Sequence, residues 1–171
     1  MVTVEEREKK YLVAEVNKSG TWDKEHIVYQ WYVDVKKGTH TKEKIIFDLL
    51  KARIIYVRIE KITGTDGITK KNVDYLNIDD FDPDKMVNVP FVLKRRSIKG
   101  KLFLDRFVRS NGISDYLLED EANEIDSHSD KEFSVIRDVT DENAYYNQNM
   151  TTLFTKEDAY SLKFMLSVFR L

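Results

Sequence analysis

Val4-Glu-Glu-Arg-Glu-Lys-Lys-Tyr-Leu-Val13 is the stretch on which the fold turns. Side chains alternate across an extended chain, so a strand here puts Glu6, Glu8, Lys10 and Leu12 on one face and Glu5, Arg7, Lys9, Tyr11 and Val13 on the other. The same period of two recurs downstream. In Phe91–Ser97, Lys94 and Arg96 share a face opposite Phe91, Leu93 and Arg95. In Leu102–Val108, Asp105 lies opposite Leu102, Leu104 and Val108. In Tyr116–Ala122, Glu119 and Glu121 share a face opposite Tyr116, Leu118, Asp120 and Ala122. Taken singly, each pattern describes a sheet face in water. Taken together, two carboxylate pairs and a Lys-x-Arg pair on antiparallel strands would all face inward if the sheet curls shut. An interior holding four or more carboxylates is strongly self-repelling unless a cation sits among them. Carboxylate oxygens suit Mg²⁺ or Mn²⁺, and Lys and Arg on the opposite wall supply the charge-assisted donors that a phosphate chain needs.

The rest of the sequence agrees with a mainly antiparallel β chain carrying a few helices. Further strands are expected at Ile27–Val35, Ile54–Ile62 and Asn72–Ile78. Ser97-Ile-Lys-Gly100 reads as a hairpin turn, with Gly100 free to take a positive φ. Thr41–Leu50 carries Ile45, Ile46, Leu49 and Leu50 at helical spacing and is read as a helix. Thr155–Phe169 is a clearer one, with Thr155 and Asp158 as a capping box and Ala159, Leu162, Met165, Leu166 and Phe169 as one apolar stripe. Asp82-Pro83 reads as the cap and first position of a short helical turn. The polar stretches Thr63–Asn72 and Asn123–Lys131 are read as loops or a flap. With 171 residues and neither repeat nor linker, the whole chain, 1–171, is expected to form one domain.

Composition removes several classes of function. The 28 basic residues nearly cancel the 30 acidic ones, which argues against a nucleic-acid coat and leaves room for a site where both signs meet. With no cysteine, thiolate chemistry and disulfides are excluded, and a reducing, cytoplasmic setting fits. No run approaches the roughly 18 apolar residues of a membrane helix, and a start charged from the fifth residue does not read as a signal peptide. The six glycines form neither a P-loop nor a dinucleotide fingerprint. His26, His40 and His128 show no metal spacing and are read as ordinary histidines; Trp22 and Trp31 are read as packing, and Tyr145-Tyr146 as buried against the last helix in preference to lining a tunnel mouth.

These residues resemble the CYTH superfamily, the triphosphate tunnel metalloenzymes. Glu6-Arg-Glu8-Lys-Lys10-Tyr-Leu-Val13 resembles the family's E-x-E-R-K-F-L-V strand, and Ile27-Val-Tyr-Gln30-Trp-Tyr32 its I-x-Q-G-Y strand. Lys94-Arg-Arg96 matches K-x-R, Leu104-Asp105-Arg-Phe107 resembles D-x-F, and Leu117-Leu-Glu119-Asp-Glu121 resembles L-x-x-E-x-E. Asp138-Val-Thr140-Asp with Tyr146-Asn147-Gln-Asn149-Met150 resembles the E-V-T-D-D and Y-x-N-x-N-L segment of short bacterial members. The resemblance implies a closed eight-stranded antiparallel tunnel, Mg²⁺ or Mn²⁺ as cofactor, and a small molecule carrying a triphosphate as substrate. Carried over by position, Glu6 and Glu8 would ligate the metal, and Glu119 and Glu121 would complete its site or orient the attacking water. Lys10, Lys94 and Arg96 would bind phosphate oxygens, with Asp105 in the lumen near the metal or water.

The middle of the chain departs from that pattern. Between the Q-G-Y and K-x-R motifs the family carries an R-x-R and a T-x-K strand, whereas this sequence has Ile55-Tyr-Val-Arg58-Ile-Glu60-Lys61 and Lys70-Lys71-Asn-Val-Asp74-Tyr75. Arg58 stands for one arginine with Glu60 in the place of its partner, or Lys61 stands for the T-x-K lysine and the arginine strand is lost; the sequence leaves both open as phosphate-binding residues. The resemblance implies hydrolysis of inorganic tripolyphosphate first, nucleoside triphosphates second and cyclisation of ATP, as in class IV adenylyl cyclases, third. Two other readings stand beside it: a non-catalytic tunnel that binds polyphosphate or nucleotide, and an interaction protein whose charged faces are merely solvated. Neither nucleic acid nor membrane is an expected partner, and whether the chain is a monomer or a homodimer stays open.

Overall fold

The computed structural model describes residues 2–4, 8–16, 22–112, 116–121 and 133–170. Within them lie eleven strands and one α-helix: β1 (Val2–Val4), β2 (Lys9–Val16), β3 (Lys24–Lys36), β4 (Thr39–Asp48), β5 (Arg53–Thr63), β6 (Thr69–Tyr75), β7 (Pro90–Lys99), β8 (Leu102–Arg109), β9 (Tyr116–Asp120), β10 (Phe133–Asp138), β11 (Thr152–Leu153) and α1 (Lys156–Phe169). All the pairings are antiparallel. The order across the sheet is β1-β6-β5-β4-β3-β7-β8-β9-β2-β10, with β11 beside β7.

The expected closed, eight-stranded barrel is therefore corrected: among the described residues the sheet has eleven strands and its pairing order is open, ending at β1 and β10. The expected strand Val4–Val13 is likewise two strands with different partners, since β1 pairs with β6 while β2 pairs with β9 and β10. The sheet is nonetheless strongly curled. Only four residues separate Val4 from Lys9, and such a connection reaches about 18 Å at most. The far edge at β6 and the β9–β2 region must approach within that span.

The largest local correction is Thr41–Leu50, which is not a helix. Its residues form β4, with Ile45 and Phe47 fully buried on one face and His40, Lys42, Lys44 and Ile46 on the other. Ile45, Ile46, Leu49 and Leu50 satisfy helical spacing, but long antiparallel pairings to β3 and β5 satisfy the backbone and sort the same side chains to two faces. Leu49 and Leu50 fall in the turn that follows. Strands β10 and β11 were not anticipated either.

Other expectations hold. Thr155 Oγ1 accepts from the Asp158 amide at 3.1 Å and Asp158 Oδ2 accepts from the Thr155 amide at 2.8 Å, a complete capping box. Asp82 caps a single 3₁₀ turn, Pro83–Met86, through the Asp84 amide at 3.0 Å. The β7–β8 hairpin turns at Gly100-Lys101, slightly later than read, with Gly100 at φ +57°. The stretch 123–131 lies outside the described residues.

The main core lies on the convex side, between α1 and strands β3, β4 and β7. Tyr29, Trp31, Ile45, Phe47 and Phe91 meet Phe154, Ala159, Leu162 and Leu166 there, and Phe47 contacts Phe169 edge-on at 5.0 Å. This fixes Trp31 as packing. A second cluster of Tyr11, Val13, Leu104 and Leu118 holds β2, β8 and β9 together. The strands that show one face to these cores turn alternate residues to the concave side, where many of the charged ones gather. No helix among the described residues is long and apolar enough to cross a membrane.

Candidate functional site

The concave side encloses a cavity of ≈ 560 Å³ whose wall draws on β2 through β9. From β4 come His40, Lys42 and Lys44, from β5 Ile59, Lys61 and Thr63, and from β6 Thr69 and Lys71. On the other side stand His26, Val28 and Tyr32 of β3, Arg96 of β7, Phe103 of β8, Glu119 of β9 and Lys10 of β2, with Glu8 and Glu121 at the ends of their strands. Thr140, Asp141, Tyr146, Asn147 and Gln148 close the ring. Six basic side chains thus face four carboxylates in one confined space, an excess of positive charge that suits a polyanion.

Behind that wall is a buried ion-pair network. Lys94 and Asp105 are both inaccessible to solvent, and Lys94 Nζ donates to Asp105 Oδ2 at 2.9 Å. Arg96 donates through Nε to Asp105 Oδ1 at 2.6 Å and through Nη2 to Oδ2 at 2.6 Å, and Nη2 also reaches Glu119 Oε2 at 3.0 Å. Burial alone would raise the Asp105 carboxyl, but Arg96 and Lys94 outweigh it and hold it far below the usual carboxylate range. Glu119 is lowered in the same way: burial opposes ionisation, and Arg96 overcomes it. Asp105 pairs across the sheet with Arg96 and lies two residues from Phe103, on the concave side, where it sets Lys94 and Arg96 in place.

The cations divide into groups. Arg96 and Lys10 are on the wall as expected; Lys10 Nζ lies 3.4 Å from Glu8 Oε1 and 4.5 Å from the centre of the Tyr146 ring. Tyr146 thus faces the site and not α1, contrary to its sequence reading. Lys94 stands one layer back, with Asn147 Oδ1 as a second acceptor at 3.3 Å. Lys61 is on the wall, whereas Arg58 is on the opposite face of β5, where Nη2 meets Glu43 Oε1 at 2.6 Å. Of the two residues the sequence left open, Arg58 is kept off the cavity wall by the alternation of its own strand, and Glu60 with it.

Sequence reasoning missed Lys42, Lys44 and Lys71, together with two histidines. Lys42 and Lys44 sit two apart on β4, the strand misread as a helix, and they supply the cationic pair that seemed lost from the middle of the chain. The signal was present as period two in His40-Thr-Lys42-Glu-Lys44-Ile-Ile46. Burial, reinforced by Lys61 and Lys94, pulls the Lys42 ammonium down to about 7, and burial with Lys42 and Arg96 pulls Lys44 well below its ordinary value. His26 is lowered, chiefly by burial, against the pull of Asp48. His128 lies outside the described residues.

The 139–150 segment is tied to β2. Val139 N donates to Lys10 O at 2.8 Å, Lys10 N donates to Thr140 Oγ1 at 3.0 Å, and the Tyr146 hydroxyl donates to Thr140 O at 3.2 Å. Of the expected metal ligands, Glu8, Glu119 and Glu121 share the cavity wall, and Glu6 lies outside the described residues. No three Asp, Glu or His side chains among the described residues converge closely enough to form a metal cluster.

No protein-family model matches the sequence, and no curated protein does. Solved structures do match in three dimensions, among them two of NE1496. One, the inorganic triphosphatase NE1496, superposes with a TM-score of 0.52 at 18% identity over 87% of this chain and 93% of its own. Another, described as the hypothetical protein NE1496, gives 0.52 at 18% over 86% and 96%. The antiparallel sheet of this chain thus has the fold of these structures.

Proposed function

We propose that the protein hydrolyses a triphosphate held in this cavity, with inorganic tripolyphosphate as the first substrate. One observation carries the reading: a confined cavity whose basic side chains, from five strands and led by Lys42, Lys44 and Arg96, face a short carboxylate wall of Glu8, Glu119 and Glu121. The inorganic substrate is favoured because the structural neighbour is described as an inorganic triphosphatase.

Phosphoryl transfer asks the protein mainly for positioning and charge neutralisation. Lys10, Lys42, Lys44, Lys61 and Arg96 grip phosphate oxygens, and Lys94 adds its charge from behind. The glutamate oxygens fit Mg²⁺ or Mn²⁺ by type. Mg²⁺ characteristically takes one or two protein carboxylates and fills its shell with water and phosphate, so Glu8 and Glu121 suffice without a three-residue cluster, and Glu6 would add to them. Such an ion would neutralise charge on the phosphate chain. Glu119, held ionised by Arg96, is a weak base and serves to orient Arg96. Glu121, exposed at the cavity rim, also serves to orient the attacking water.

The test is phosphate release from tripolyphosphate, ATP and GTP, each with Mg²⁺, Mn²⁺ or EDTA. Release from tripolyphosphate that needs the metal and is lost in Glu121→Gln supports the reading; an equally active Glu121→Gln removes that residue's role. The excess of cations over carboxylates in the cavity also suits a second reading, a tunnel that binds polyphosphate without cleaving it. Thermal stabilisation by tripolyphosphate without phosphate release would select that one.

A further inference from the structure

We propose that His26 is a titrating contact for the bound polyanion: its imidazole takes up a proton from water as a phosphate oxygen arrives beside it. The proposal rests on the anion site described above and adds to it a residue that belongs to none of the phosphate-binding or carboxylate positions already assigned.

The position of His26 carries the argument. It lines the cavity, and its two cross-strand neighbours are Asp48 on β4 and Arg96 on β7. Asp48 is 1% exposed and cannot swing. Its Oδ1 accepts from the Leu50 and Lys51 amides at 3.2 and 3.1 Å, and its Oδ2 accepts from Arg53 Nε at 3.4 Å. His26 Nε2 stands 4.0 Å from that fixed Oδ2. Arg96 on the other side is itself fixed, by Asp105 and Glu119. The imidazole is therefore held in a rigid frame between one carboxylate and one guanidinium, with the cavity as its open side.

The charges around it are unbalanced in the empty cavity. Burial and the cations Lys24, Arg53 and Arg96 disfavour the imidazolium, and only Asp48 supports it. A polyphosphate brings several negative charges into the same space and reverses that balance, so a second anion beside the ring makes the charged form the favoured one. Histidine is suited to this because its ordinary titration lies next to neutral pH, within reach of a modest shift. In balance, one imidazole and one solvent proton give one imidazolium, and no bond of the phosphate chain is altered.

The experiment follows the histidine ring protons by NMR from about pH 5 to 8.5. The wild-type protein is titrated in Mg²⁺ with and without saturating bis-imidotriphosphate, whose P–N–P bridges resist hydrolysis. The His26 resonance is identified by its absence in His26→Gln. The expected result is a rise in the His26 pKa of about one unit or more on binding. A His26 pKa that stays put while the ligand raises the melting temperature would overturn the proposal and leave the anion site standing. No thermal shift at all would overturn the anion site, and this proposal with it.

Discussion

The two faces of β4 put opposite demands on neighbouring residues. On the convex face, Ile45 and Phe47 are stripped of water against aromatic neighbours and α1, and burial is the whole of their contribution. On the concave face, Lys42 and Lys44 are confined with further cations, and burial works against them. A slip of one residue in the register would exchange the two sets. The comparison teaches that this strand is held by one face, while the other carries charges that line the cavity. The concave face keeps charges that the fold alone does not favour.

The largest effect should come from the ion pairs behind the concave wall. Asp105→Ala leaves Lys94 and Arg96 buried beside a missing counter-charge and should destabilise the fold by about 3–5 kcal/mol, read by denaturant unfolding. Phe47→Ala on the convex face is expected to fall in the same range, about 3–5 kcal/mol, through lost burial and the cavity it leaves. A much milder Asp105→Ala would show that the network carries little of the stability.

Lys44→Met tests the opposition between the faces directly. It removes a confined charge while keeping most of the volume, so the ligand-free protein should become more stable, by about 1 kcal/mol. The stabilisation by tripolyphosphate should at the same time shrink or vanish in a thermal-shift assay. Loss of stability together with unchanged ligand response would break the comparison.

The pH dependence has a definite sign. Lys42 titrates at about 7 in the folded chain and near its ordinary value when unfolded, so between those values the unfolded state holds the extra proton. Stability of the ligand-free protein should rise as pH climbs above 7, by on the order of 1 kcal/mol per pH unit at most. The rise should be smaller in Lys42→Met, as measured by unfolding at a series of pH values.

The smallest effect is expected at Arg58. Arg58 is half-exposed, but its partner Glu43 is buried on the convex side and keeps the Tyr56 hydroxyl as a donor, so Arg58→Ala should cost about 1 kcal/mol of stability and leave the tripolyphosphate response intact. A lost response would place Arg58 in the phosphate machinery after all.

The parts of this site that could be read from the sequence were those where alternation is uninterrupted within one strand. Lys94 with Arg96, Glu119 with Glu121, and Glu8 with Lys10 were assigned to shared faces correctly, because the face of a residue follows from its neighbours two positions away. Lys42 and Lys44 were missed because the same ten residues carry four apolar side chains at helical spacing, and only pairing with β3 and β5 decides between the two periods. Arg58 illustrates a different limit. Whether a charged residue faces the cavity, the far side or a buried partner depends on which strands flank it, and strand order is not written in local spacing. The split between β1 and β2 was hidden for the same reason.

That split also bears on how the protein is made. Val2–Val4 waits for β6, and Lys9–Val16 waits for β9 and β10, more than a hundred positions later in the chain. Pairings of such long range form late, and on a ribosome the partners of β2 emerge only after more than a hundred further residues. Until then the charges destined for the interior stay hydrated, and an unfinished chain presents in open water the lysines and glutamates that the folded one gathers around a cavity. A product truncated before Tyr116 lacks the partners of β2, so the cavity wall takes shape only after β9 and β10 have been made.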